Sequence, residues 1–85
     1  MTSPLRIGVL ASGEGTTLQA ILDACASGEI TARVVTVISN NSDSGALRRA
    51  RAAGSLAVHL SGKTHPGPGV LDQAIIQALT EQQVD

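Results

Sequence analysis

The stretch Arg6 to Gly15, reading Arg-Ile-Gly-Val-Leu-Ala-Ser-Gly-Glu-Gly, most narrows what this chain can fold into. Its first six residues form a short apolar run of the kind a strand buried on both faces presents, and Ser12-Gly13-Glu14-Gly15 closes that run abruptly. Immediately afterwards Leu18, Ile21, Leu22 and Cys25 fall at i, i+3, i+4 and i+7, the stripe of an amphipathic helix. Thr16 or Thr17 is the expected N-cap, and Gly28 lies past the helix end. The unit is strand, glycine loop, helix.

The same alternation recurs twice. Val34, Val35, Val37 and Ile38 make a β-branched run that stops at Ser39-Asn40-Asn41. A second helix follows, capped by Ser42, Asp43 or Ser44, with Ala46, Leu47, Ala50 and Ala53 inward, its arginines outward, and Gly54 as its stop. Leu56 to Leu60 reads as a third strand, Ser61 to Gly69 as a Gly/Pro loop long for a connection, and about Val70 to Gln82 as a third helix. Leu71, Ala74, Ile75, Ala78 and Leu79 supply the apolar spacing of that helix.

Strands alternating with helices imply right-handed βαβ units and a parallel, doubly wound sheet, so the class is α/β. In such a sheet the first strand is central, and its far edge waits for a strand after the third helix. The expectation is an incomplete sheet of about three strands and three helices. Either the sequence is cut or the next strand comes from a partner.

Composition removes several function classes. With 42% apolar and 15% charged residues in 85, the chain is globular in character, and a domain this small is only marginally stable. Aromatic residues are wholly lacking, so no ring can stack on a base or a pterin. A net charge of −1 with a single basic cluster, Arg48, Arg49 and Arg51, argues against a nucleic-acid partner. One cysteine excludes an internal disulfide, and no apolar run approaches a membrane span or a signal sequence, which points to a reducing cytoplasm.

Ser12-Gly13-Glu14-Gly15-Thr16-Thr17 is the motif that carries chemistry. Glycines let backbone approach a ligand, and a helix start offers unpaired N–H groups and a favourable dipole to an anion, above all a phosphate monoester. Open α/β sheets bind ligands at this place, the carboxyl end of a central strand. The plain alternative is a tight turn followed by a capped helix. No lysine follows Gly15, so this is no P-loop; Leu18 stands where a dinucleotide fingerprint needs glycine or alanine, and Asn40-Asn41 rather than an acid ends the second run.

Val9-Leu10-Ala11-Ser12-Gly13-Glu14-Gly15-Thr16-Thr17-Leu18-Gln19-Ala20-Ile21 resembles the opening of phosphoribosylglycinamide formyltransferases, which read Ser-Gly-x-Gly-Ser/Thr-Asn-Leu-Gln-Ala. The resemblance continues through Val37-Ile38-Ser39-Asn40 and through Ala46 to Gly54, and is weakest at Ser61 to Gly69. It implies a three-layer, Rossmann-like parallel sheet, with residues 1–85 as the N-terminal, phosphate-binding part of one formyltransferase domain. It also implies formyl transfer from 10-formyltetrahydrofolate to glycinamide ribonucleotide in purine biosynthesis, without a metal. Gly15, Thr16 and Thr17 match the family's substrate-phosphate loop, with Ser12 and Gly13 supporting it. Thr17 departs from the usual Asn and shortens the side chain's reach. A folate-contacting arginine of the family falls near Pro68, which has no side-chain donor, so that role is not carried over. The family's catalytic Asn, His and Asp lie beyond the third helix. No catalytic residue is therefore expected among these 85, and the chain alone is expected to be inactive.

The remaining polar candidates are expected to be unremarkable. His59 and His65 lack a neighbouring carboxylate or second cysteine and read as solvated loop residues, with no metal site. Cys25 belongs to the buried stripe, Glu14 points to water, and the three arginines form a solvated face. The Lys63 to Gly69 loop is a candidate flap over the ligand site. Three rival readings stand beside the enzyme half: a phosphate-ligand module dimerising through the open sheet edge, a formyltetrahydrofolate deformylase fragment, and a generic nucleotide-binding oxidoreductase domain. The deformylase normally carries a regulatory domain first, and the start at Met1 without one sets the expectation against it.

Overall fold

A computed structural model of the chain describes residues 4–85; Met1, on which the comparison with the deformylase turned, lies outside them. Six elements alternate as expected: β1 Leu5–Leu10, α1 Thr16–Ser27, β2 Ala32–Ser39, α2 Gly45–Ala52, β3 Leu56–His59 and α3 Val70–Glu81. The strands are parallel in the order β1-β2-β3. This leaves one edge of β1 without a strand partner among the described residues, the open edge that the alternation implied.

The central strand is β2, and Val34 to Ser39 are buried without a break. Its register against β1 steps between Ile7 and Gly8, so that Val34 opposes Ile7 while Thr36 opposes Gly8 and Val35 is extra. That bulge turns Val34 and Val37 to one face of the sheet. There they join Leu18 and Leu22 of α1 and Ala46, Leu47 and Ala50 of α2 in the core, with Ile7, Val9, Ile21 and Cys25 packed around them.

Helix α3 takes the opposite face. A Cβ built on Gly8 would meet Leu79 Cδ2 at 2.5 Å and Val84 Cγ2 at 3.1 Å, so glycine is what lets α3 and the following turn lie on β1. The three layers are α1 with α2, the sheet, and α3. Nothing in α3 is fully buried; its stripe of Leu71, Ala74, Ile75, Ala78 and Leu79 is half-covered while Ile76 is exposed.

Arg6 fastens this thin layer. Its Nε donates to the carbonyls of Gln82 (3.1 Å) and Gln83 (3.2 Å), and Nη2 donates to Gln82 at 2.7 Å. These are carbonyls that the end of α3 leaves without helical partners, and a guanidinium there is also favoured by the helix dipole. Beyond them the Asp85 N–H donates to the Arg6 carbonyl at 3.0 Å, while the Arg6 N–H donates to Asp85 Oδ2 at 2.7 Å. Residues after α3 thus begin to line the free edge of β1.

Four local expectations need correction. The strand β1 is not buried on both faces: Leu5 and Leu10 are exposed and the residues between are half-buried, because one edge is unpaired and α3 covers its face only in part. Thr16 and Thr17 are not N-caps but the first helical residues; Gly15, at φ 80°, occupies the cap and no side chain bonds there. Ala53 does not face inward but is the exposed C-cap of α2, since the helix ends one residue earlier at Ala52. Arg49 is half-buried rather than solvated, because its guanidinium reaches across to the loop before α1. The cap of α2 is Ser44, whose Oγ accepts from the Leu47 N–H at 3.3 Å.

Candidate functional site

The carboxyl end of β1, the loop through residues 12–15 and the start of α1 form one continuous surface. Gly15, Thr16 and Thr17 line a pocket of about 220 Å³ together with Val9, Leu10, Ala11, Leu18 and Ile21. Both threonines are exposed, and the first helical bond runs from the Gln19 N–H to the Gly15 carbonyl at 2.8 Å. The N–H groups of the first turn therefore precede any carbonyl they could reach within α1, as at any helix start.

The loop backbone is held from behind by α2. The Ala46 N–H donates to the Gly13 carbonyl at 3.2 Å, and Arg49 Nε donates to the Glu14 carbonyl at 2.8 Å. Contact is close enough to dictate glycine on both sides. A Cβ on Gly15 would sit 2.7 Å from Ala46 Cα, and one on Gly45 would sit 2.5 Å from the Glu14 carbonyl oxygen. The Glu14 side chain itself is exposed, in line with the expectation that it points to water.

Ser12 falls elsewhere. It lines a neighbouring, mainly apolar cavity of about 310 Å³ with Leu10, Ala11, Ile38, Asn40, Leu60, Leu71 and Ile75, between the strand ends and α3. A third, more polar hollow of about 480 Å³ lies beyond β2 and β3, bordered by Asn40, Asn41, Ser42, His59, Ser61, Gly62, Lys63 and Leu71. Of the expected site residues, the structure brings Gly15, Thr16 and Thr17 together, uses the Gly13 carbonyl as a tie to α2, and assigns Ser12 to the adjoining cavity.

The histidines are less free than the sequence suggested. His59 is half-buried with Nε2 3.3 Å from the Asn40 carbonyl, and His65 Nδ1 lies 2.8 Å from Thr64 Oγ1. Residues 61–65 form a hydrogen-bonded knot: Thr64 Oγ1 accepts from the Ser61 N–H at 2.9 Å, and Ser61 Oγ accepts from the N–H groups of Lys63 and Thr64. In the second half of the loop Gly67 and Gly69 have positive φ. Among the described residues no group of three or more His, Cys, Asp or Glu is placed to hold a metal ion. No helix among them is long and apolar enough to cross a membrane.

Residues 5–85 match the family model described as formyl transferase. The chain belongs to the formyl transferase family. Within that family it is 54% identical over 48 residues to the phosphoribosylglycinamide formyltransferase of Haemophilus influenzae, a match covering 56% of this chain and 23% of that one. It superposes on the glycinamide ribonucleotide transformylase 1 of Symbiobacterium toebii with a TM-score of 0.92 and 45% identity, over 100% of this chain and 40% of that one. A formyltetrahydrofolate deformylase of Pseudomonas putida shares the fold at a TM-score of 0.82 but only 20% identity, over 95% of this chain and 28% of that one. The chain thus spans less than half the length of the relatives it matches, and those relatives confirm the expected formyltransferase fold.

Arg49 is the residue that sequence reasoning passed over. In sequence it clusters with Arg48 and Arg51, yet it stands three residues after the buried Ala46, so it borders the stripe facing α1 rather than the solvent side. Its Nη1 also donates to Gln19 Oε1 at 3.1 Å, which joins α2 to the first turns of α1.

Proposed function

We propose that this chain forms the substrate-phosphate half of a phosphoribosylglycinamide formyltransferase, with Gly15, Thr16 and Thr17 gripping the phosphate of glycinamide ribonucleotide. The observation that carries the proposal is the loop at the end of β1, whose carbonyls are tied to α2 while the start of α1 lines an open pocket. The Haemophilus influenzae and Symbiobacterium toebii relatives support the ribonucleotide over other phosphate esters. The deformylase reading draws on a likeness of 20% identity, which concerns the fold alone.

In the transfer reaction the glycinamide amine attacks the formyl carbon of 10-formyltetrahydrofolate. A C–N bond forms to the amine, the bond to the folate nitrogen breaks, and one proton moves from the amine to that nitrogen. The tetrahedral intermediate needs donors aimed at its oxyanion, usually the largest catalytic contribution. In this proposal those donors and the folate site belong to the part of the relatives beyond the matched span. Residues 5–85 supply position: a phosphate fixed at the loop holds the substrate in register for attack. A reducing cytoplasm suits the free thiol of Cys25 in this scheme.

A chimera tests this, with residues 5–85 replacing the matching segment of the Symbiobacterium toebii enzyme. It should transfer formyl groups, and Thr16→Val with Thr17→Val should raise the KM for the ribonucleotide about tenfold or more while kcat changes little. A normal KM in the double variant would remove the two hydroxyls from the grip, and a folded chimera unable to use the ribonucleotide would sink the assignment. Self-association through the free edge of β1 is a second reading, motivated by the exposure of Leu10, 58% accessible on that edge. Sedimentation at rising concentration should then show a discrete dimer, and a monomer throughout would remove that reading.

A further inference from the structure

We infer that Arg49 is a positioning residue for the phosphate loop: it turns the peptide N–H of Gly15 toward the ligand, beside that of Glu14 which the Ala46 N–H orients, without touching the ligand itself. The inference rests on the phosphate-site reading above and deepens it. In a trans peptide the carbonyl and the following N–H point in opposite directions. The Glu14 carbonyl is held by Arg49 Nε at 2.8 Å, so the N–H of Gly15 points away from α2. The Gly13 carbonyl is held by the Ala46 N–H at 3.2 Å, so the N–H of Glu14 points the same way. Neither N–H donates to a partner among the described residues.

These two groups run directly into the unpaired N–H groups of Thr16 and Thr17, so successive amides line a concavity of the sort that binds anions. The pocket lined by Gly15, Thr16 and Thr17 is built from β1, the loop and α1, with no α2 residue in its wall. Arg49 therefore works from the far side. Its fork spans two acceptors at once, Glu14 O and Gln19 Oε1 (3.1 Å), and Gln19 is in turn held by its Nε2 donating to Asp23 Oδ1 at 2.9 Å. A lysine carries the same charge but presents no planar fork, and it cannot hold the Glu14 peptide and Gln19 in one geometry.

The test is a titration of the 85-residue chain with inorganic phosphate, followed by amide shifts at Glu14, Gly15, Thr16 and Thr17, in parallel with melting curves. Arg49→Gln and Arg49→Lys should both weaken phosphate about tenfold, the scale of one lost charge-assisted hydrogen bond, and Gln19→Leu less. The melting curves separate lost binding from lost fold, and each variant is titrated at a temperature where it is folded. Arg49→Lys binding as tightly as the parent would mean that Arg49 acts by charge alone and would overturn the proposal. Unchanged binding in Arg49→Gln would overturn it too, while leaving the phosphate site standing. No phosphate response at these amides in the parent would overturn the site reading and the positioning role together. If Arg49→Gln fails to fold, the comparison of Arg49→Lys with Gln19→Leu carries the same decision.

Discussion

Gly15 and Gly28 flank α1 with nearly the same backbone, φ 80° and φ 83°, but in different surroundings. A Cβ on Gly28 meets nothing within 4 Å, whereas one on Gly15 falls 2.7 Å from Ala46 Cα and 3.1 Å from Ala46 N. Alanine at either position has to adopt a left-handed conformation at a cost of about 1–2 kcal/mol. Only at Gly15 must the backbone of α2 also retreat by several tenths of an ångström, an overpacking cost of about 1–3 kcal/mol. Gly15→Ala should therefore lose about 2–5 kcal/mol and Gly28→Ala about 1–2 kcal/mol, against a total stability of roughly 4–13 kcal/mol for a chain of this size. Urea unfolding resolves the two. With a slope near 1 kcal/mol per molar, the midpoint of Gly15→Ala should fall about 1–3 M further than that of Gly28→Ala. Equal midpoints would refute the close approach of α2 to the loop, and with it the claim that α2 shapes the site.

Three further outcomes follow from named contacts. Leu47→Ala removes a side chain with no accessible surface from the centre of the α1–α2 core, and should cost about 2–5 kcal/mol by thermal or chemical unfolding. Ser44→Ala deletes the only side-chain cap of α2 and should cost about 1 kcal/mol, with Ser44→Gly milder, in the same assay. Arg6→Gln breaks the fork on Gln82 and Gln83 and should speed amide hydrogen exchange through α3 while leaving α1 and α2 protected, since the core lies on the opposite face of the sheet.

What the sequence made legible was what depends on periodicity and punctuation. Leu18, Leu22, Ala46, Leu47 and Ala50 repeat at helical spacing and form the observed core, and Gly28 and Gly54 stop their helices in left-handed conformations. What stayed hidden depends on partners far along the chain. Leu10 has the composition of a buried strand residue, yet its exposure is set by the edge it occupies. Thr16 and Thr17 are good caps by composition, but the cap went to Gly15 because only glycine fits both φ 80° and the backbone of Ala46. The candidate site was readable only as a glycine loop at a helix start, which is what the structure has there. The tie from Arg49 to the Glu14 carbonyl joins residues 35 apart in sequence, and no local pattern reports such a bond.

The most direct test of the central claim is a paired titration of the chain with glycinamide ribonucleotide and with the same compound lacking its phosphate, read at the backbone amides. Saturable shifts centred on Gly15, Thr16 and Thr17 with the ribonucleotide, and none there with the dephosphorylated form, are the predicted result. Equal responses to both compounds, or shifts centred instead on the hollow bordered by His59 and Lys63, would contradict it.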